Sequence, residues 1–419
     1  MPQIKPLLLP PTPIPNNKIK YSAVNIYHPG YGTVYLPLLR FITFHDEGVD
    51  YDLVFYAACI VAGNVWSDNP APYLTETTDD NSPPHVTRPD DGILHGEEYF
   101  FYVPRCEDPQ YPITLCFSDW VFPHNNVPQI WKDLVISKSP MEILLSSPIS
   151  LREAIVFRDR SCRMTQYVTA LEKAHVVPIV ESDWFINNKM YQYNIDPFAK
   201  PVIDDIGNLF ALRSDVHWQF DQKHFTAMPK LVDGEHKLVA HMLQKNMKFF
   251  HEQRYLFHNR PFQQLNDIPI EFLFARFAWS IFNGSTIPFF ETKGYPFKVR
   301  YRPKAGSEKR GSGDPVQLIV KTISSIMALP SLREGSSSSS KQKRAQNDVT
   351  EEQHDDDANL FWSIDEGKLV NIQEIDYPFG DPDYHNPKFF DTEPDRPLKR
   401  GRYEQSPSRS PSPSTPPLS

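Results

Sequence analysis

The chain has 419 residues, 40% of them hydrophobic and 13% aromatic, enough apolar material for one or two packed domains. Its 41 prolines and negative mean hydropathy leave a large share of it outside any core. No apolar run reaches bilayer length, and the Pro-rich start lacks a charged segment followed by an apolar one, so a soluble, intracellular protein with no membrane partner is expected.

Residues 1–18 mix prolines with apolar and polar residues without a period and read as a flexible Pro-rich arm. Residues 19–145 read as a β-rich accessory domain, sandwich-like or a small barrel. Tyr21 to Tyr27 alternates, Glu97 to Val103 and Tyr111 to Phe117 are strand-like, and Asp52 to Ala62 is a fully apolar run for a buried strand or short helix. Ser67 to Gly96 is polar and turn-rich, a long loop. His45, His85, His95 and His124 lie too far apart to suggest a metal site.

Residues 150–290 form the second predicted domain. Ser150 to Arg160 reads as a helix with a capping box from Ser150 and Glu153, and Pro269 to Phe282 as a buried packing helix that closes the domain. From 302 to 419 the composition becomes Ser/Pro-rich and charged, which predicts a largely disordered tail with one isolated helix at Val316 to Met327. Lys341 to Arg344 and Arg396 to Arg402 are candidate nuclear-import signals, and the Ser-Pro steps are candidate phosphorylation sites.

The four cysteines (Cys59, Cys106, Cys116 and Cys162) are scattered, which fits reduced thiols better than a disulfide framework or a zinc knuckle. The net charge of −9 is uneven: acidic clusters sit at 351–357, whereas 150–230 carries many Arg and Lys side chains. A mildly basic module can bind a polyanion inside an acidic chain, because local potential does the steering. No Gly-x-Ser-x-Gly elbow is present, which disfavours a serine hydrolase.

The chemistry concentrates between Arg158 and Pro229. His175 ends a short strand-like run, Leu171 to Val177, stopped by Pro178. Asn208 follows Gly207 at a turn, where its amide can bond nearby backbone. His217 and Asp221 are four apart in a short helix that Ser214 would cap, so the imidazole and carboxylate share a face and can share a metal ion. Mixed N/O ligation suits Mg²⁺, Mn²⁺, Ni²⁺ or Zn²⁺ alike. A neutral imidazole suits the base that activates water for phosphodiester hydrolysis.

The wording Ala-His-Val-Val-Pro, then Asn-Leu-Phe-Ala-Leu-Arg-Ser-Asp-Val-His-x-x-Phe-Asp, resembles the HNH nuclease family, in its subgroup with AHI-P and N-x-L-x-L-R-x-D-x-H-x-x-F-D. Cys162-Arg-Met-Thr-Gln looks like the C-x-x-T-G lead-in, and Phe274 to Trp279 resembles a helix of fungal HNH-domain proteins. The resemblance implies an α+β fold: a ββα-metal (His-Me) finger with flanking helices, between the β-rich domain and the tail. It implies His175 as general base, Asn208 as organiser of the loop between the strands, and His217 as metal ligand. Asp221 joins His217 by spacing, with Mg²⁺ the favoured ion.

Three positions depart from the pattern. Ala174 stands where many members carry a metal ligand, so Glu172, Asp204, Asp205 or water would complete the shell. Leu209 replaces the Gly after the turn Asn, and 179–203 is an insertion between the strands. Arg163, Lys173 and Arg213 are candidate phosphate contacts. The expected function is a metal-dependent endonuclease acting on nucleic acid, DNA in the first instance. Two alternatives stand beside it: a degenerate finger that binds nucleic acid or protein without cutting, and an interaction protein in which the β-rich domain and tails do the work.

Overall fold

A computed structural model describes residues 22–43, 48–78, 84–138, 150–243, 256–292, 295–302 and 318–324. The arm at 1–18, His45, the acidic clusters, both basic import candidates and the Ser-Pro steps lie outside the described residues. The chain divides into two compact units, Met1–Ser340 and Lys341–Ser419, and all described residues belong to the first.

Strand β1 (Ala23–Tyr27) buries Val24 and Ile26 on one face, as the alternation predicts. After β2 (Leu39–Ile42) and β3 (Val49–Asp50), the apolar run becomes helix α1 (Tyr51–Val61). Its eleven residues exceed an ordinary strand, and Asp50 caps it by accepting from the Leu53 amide at 2.9 Å. The expected loop at Ser67 to Gly96 contains two short strands, β4 (Tyr73–Thr75) and β5 (Ile93–Leu94), the latter paired with β3. Then comes β6 (Glu98–Tyr102), which lies parallel to β1 and antiparallel to β4, giving a four-stranded sheet in the order β2-β1-β6-β4.

Only Ile113–Thr114 of the Tyr111 to Phe117 run is strand (β7), followed by the single turn α2 (Gln129–Lys132). Helix α3 (Leu151–Asp159) has both halves of the capping box at Ser150 and Glu153. Next come β8 (Leu171–His175), α4 (Ser182–Asn187), β9 (Leu209–Arg213) and α5 (Ser214–Asp221). Strands β10 (Phe225–Val232), β11 (Glu235–Met242) and β12 (Arg260–Pro261) form an antiparallel sheet. Helix α6 (Ile270–Ile281) precedes β13 (Phe297–Tyr301) and β14 (Ile319–Ile323).

The predicted helix at Val316 to Met327 is corrected by β14, which pairs with β13 over Phe297↔Ile323 to Tyr301↔Ile319. Its Ile-Val-Lys-Thr-Ile sequence is rich in β-branched residues, which suit a pleated surface better than a helix. β13 also lies parallel to β7, so a strand near residue 299 completes a sheet begun near residue 113.

Every residue of α6 from Phe272 to Ile281 is buried. Phe274 packs edge-on to Trp66, Trp120 and Trp131, while Phe272 meets Phe185 of α4 at 5.5 Å. One hydrophobic core therefore contains residues from Val24 through Phe185 and Phe220 to Ile323. The 19–145 and 150–290 segments share it. A smaller cluster, Ala154, Ile155, Ile206, Leu209 and Ala211, seats α3 on β9.

Candidate functional site

Strands β8 and β9 form an antiparallel ribbon, in register from Leu171↔Arg213 to His175↔Leu209, and α5 begins at the residue after β9. The ribbon is stiff because its inner positions are buried: Ala174, Leu209, Ala211 and Leu212 are fully inside. Val216 and Phe220 hold α5 down, as expected from the sequence. Ser214 does not cap α5; it is the first helical residue, and no side chain caps that terminus. Instead Arg213 makes two 2.6 Å contacts to Asp215 in the first turn.

A buried pair ties α3 to the ribbon. Arg158 donates to the carbonyls of Ile206 and Leu209 at 2.9 and 2.6 Å, and Asp159 accepts from the Ala211 amide at 2.7 Å. The two side chains also face each other at 2.8 Å, so each buried charge is paired and hydrogen-bonded.

Asn208 is fully buried at the turn before β9. Its Oδ1 accepts from the Val177 amide at 2.8 Å, and its Nδ2 donates to the carbonyls of Val177 and Ile203 at 3.1 and 3.0 Å. Its own carbonyl accepts from the Val176 amide. One side chain thus locks the end of β8 to the end of the insertion.

The insertion itself is anchored twice. Trp184 donates to the Trp120 carbonyl at 2.7 Å, and Asn188 accepts from the Phe122 amide at 3.0 Å. Asp205, named from sequence as a shell candidate, is fully buried and accepts from the amides of Ile195, Asp196 and Gly207, so it braces the loop instead. Asp204 beside it contacts His175: Nε2 lies 2.7 Å from Asp204 Oδ1. Since a carboxylate accepts, Nε2 carries the hydrogen, and Nδ1 has no partner among the described residues. Burial lowers the His175 pKa, offset in part by Asp204, with Lys173 adding to the depression and Asp221 opposing it.

His217 stands between two carboxylates. Its Nδ1 lies 2.8 Å from Glu172 Oε2 and its Nε2 lies 3.1 Å from Asp221 Oδ2. Burial pushes this ring down, but Asp221 and then Glu172 outweigh it, and the pKa is raised. Burial likewise opposes ionisation of Asp221, yet His217, Arg276 and His175 together hold its carboxyl below the usual range.

Arg276 of α6 sits beneath this group, fully buried, and burial lowers its pKa to about 9 against the pull of Asp221. Its guanidinium covers the Phe220 ring at 3.3 Å and approaches Asp221 Oδ1 at 3.7 Å. It donates to the Phe220 carbonyl and, at 3.4 Å, to the carbonyls of His175 and Val176. One residue therefore touches the strand bearing His175 and the helix bearing His217 and Asp221.

Of the three expected phosphate contacts, Arg163 is corrected. It is buried, and its guanidinium donates to the carbonyls of Asp159, Ser161 and Gln264 and to Ser161 Oγ. Arg213 is partly exposed but already faces Asp215 and lies 4.8 Å over the Tyr167 ring. Lys173 is on β8, two residues before His175 and close enough to act on it electrostatically.

The structure thus brings together His175, Asn208, His217 and Asp221, and adds Glu172, Asp204 and Arg276. Sequence reasoning named Glu172 and Asp204 only as generic shell candidates and Arg276 only within a resemblance. Their charges alone did not distinguish them from neighbours. Among the described residues, no group of three or more His, Cys, Asp or Glu side chains is arranged to hold a metal ion. No described helix is long and apolar enough to cross a membrane.

Residues 158–226 match the family model described as HNH endonuclease. No curated protein and no solved structure matches the chain.

Proposed function

We propose, from the HNH endonuclease segment at residues 158–226, that the protein is a nuclease hydrolysing phosphodiester bonds in DNA with His175 as general base. The ribbon β8–β9 and helix α5 are read as its ββα-metal finger. The observation that carries this reading is a histidine with one ring nitrogen held by a carboxylate and the other without a partner among the described residues. It stands on the same ribbon-and-helix unit as an imidazole–carboxylate pair.

That pair fits a divalent ion. His217 Nε2 and Asp221 Oδ2 offer one nitrogen and one oxygen; with Glu172 holding Nδ1–H, Nε2 would become a ligand on releasing its proton to solvent and opening its contact with Asp221. One imidazole nitrogen and one carboxylate oxygen, with the remainder water, admit Mg²⁺, Mn²⁺, Ni²⁺ or Zn²⁺. A bound ion there supplies positive charge to the pentavalent phosphate and to the leaving oxygen.

His175 Nδ1 takes a proton from water; the water oxygen bonds to phosphorus as the bond to the leaving oxygen breaks, and that oxygen takes a proton from solvent. Lys173 helps keep the ring neutral by repelling its protonated form. Asn208 fixes the strand end from which the ring projects.

The test is nicking of supercoiled plasmid by the full chain with Mg²⁺, Mn²⁺, Ni²⁺ or Zn²⁺, beside His175→Ala and His217→Ala. Wild-type nicking that both variants lose supports the reading, and equal inertness under every metal ends it. One observation favours a second reading, a binding module that does not cut: Ala174 is fully buried and offers no ligand at the position before the base. That module would retain DNA affinity falling steeply with salt while showing no cleavage.

A further inference from the structure

We propose that Asp204 is the positioning carboxylate of His175, holding its imidazole as the Nε2–H tautomer and turning Nδ1 toward the water to be activated. The inference rests on the nuclease reading for its consequence, though not for its geometry. Asp204 Oδ1 lies 2.7 Å from His175 Nε2, with side-chain exposures of 20% and 13%, so water competes weakly for the contact.

The carboxylate is not free to wander. Asn208 Nδ2 holds the Ile203 carbonyl on one side, and the Asp205 carboxylate holds three backbone amides on the other. The Asp204 amide itself donates to the Pro201 carbonyl at 2.9 Å. Asp204 is thus fixed from both neighbours and from its own backbone. Asp204 directly follows the 179–203 insertion, so the insertion has a use: it delivers a carboxylate to the base.

The physical role follows from the two tautomers of a neutral imidazole. Only the Nε2–H form leaves a lone pair on Nδ1, and an acceptor fixed at Nε2 selects that form and orients the ring. Asp204 acts through His175 and need not touch substrate. It is separate from the pair that fits a metal, since His217 contacts Glu172 and Asp221 instead.

The experiment compares the full-length wild type with Asp204→Asn in three readouts. These are plasmid nicking with Mg²⁺ (kcat and KM separately), Mn²⁺ affinity without substrate, and the His175 ring-nitrogen shifts, assigned by their absence in His175→Gln. A carboxylate-to-amide change that unsettles the tautomer is expected to lower kcat by about 10²-fold or more. KM and Mn²⁺ affinity should stay within about twofold, and the His175 signals should move from an Nε2–H pattern to a tautomer mixture.

Unchanged kcat in Asp204→Asn overturns the proposal. So does a loss of Mn²⁺ affinity of about tenfold or more, which would make Asp204 a ligand. If the wild type nicks nothing, the nuclease reading fails separately. The ring-nitrogen shifts then still decide the pairing: an Nε2–H ring in the wild type that the variant loses supports it, and a mixture in the wild type overturns it.

Discussion

Asn208 makes three side-chain hydrogen bonds in a fully buried setting at the turn before β9. Asn208→Ala removes them and leaves one amide and two carbonyls without partners. The expected cost is about 3 kcal/mol, read as a lower denaturant midpoint with an unchanged slope. His28 sets a pH limit at the same scale. Its Nε2 meets the Tyr111 carbonyl at 3.0 Å, its Nδ1 accepts from the Gly30 amide at 3.2 Å, and its ring stacks on Tyr111. Those contacts need the neutral ring, and burial pushes its pKa down to about 3, with Tyr111 and Asp108 opposing. The unfolded chain takes up a proton near pH 6.5, so it binds more protons than the fold across that window. Stability from His28 is therefore complete above about pH 6.5 and is lost as pH falls toward 3, a loss on the order of a few kcal/mol. Urea midpoints measured between pH 7 and 4 should fall, and His28→Gln should flatten that dependence.

At the scale of elements, α6 does more than fill space. Its aromatic residues pack the core, while Arg276 contacts the ends of β8 and α5. Replacing Arg276 by Met keeps much of the packed stem and removes the charge whose burial is costly. Asp221 stays partly exposed and would not be stranded. Arg276→Met should therefore change stability by only about 1–2 kcal/mol in either direction. The strand bearing His175 and the helix bearing His217 would lose their common tie. A misalignment near 1 Å is enough to lower the nicking rate by about 10²-fold. Parallel thermal melts and nicking assays separate the two effects, and a large drop in melting temperature with normal specific activity would show Arg276 to be purely structural.

At the scale of the molecule, the shared core decides what can be cut away. Helix α6 presents Phe274 to Trp66, Trp120 and Trp131, and Trp184 donates to the Trp120 carbonyl. β13 pairs with β7. A fragment of residues 150–302 would expose that aromatic face, an apolar patch of the kind that drives association. It should elute as aggregate and lack a cooperative melt, whereas the full chain remains cooperative; a monomeric, cooperatively melting fragment would show the segment to fold alone. Trp131 and Phe274, 4.9 Å apart, report directly on this interface through tryptophan fluorescence.

The sequence by itself was sufficient for the strand ending at His175, the helix bearing His217, the capping box at Ser150 and the buried helix at Pro269 to Phe282. Each rests on short-range spacing, where strand and helix periods act over a few residues. The pairing of the two ribbon strands was implied only by the family resemblance. The sequence also singled out His175, Asn208, His217 and Asp221, which the fold places around one end of the ribbon and helix α5. Arg163 and the Val316 to Met327 segment misled for one reason: burial and strand pairing are non-local, and an arginine facing three carbonyls is spelled like one facing a phosphate. Asp204 meets His175 across 29 residues of sequence, Glu172 meets His217 across 45, and Arg276 meets His175 across 101. Pairing of β8 with β9, packing of the insertion against the Trp120 segment and packing of α6 beneath the ribbon and α5 set those distances. Tertiary structure alone decided which of many charged side chains surround His175.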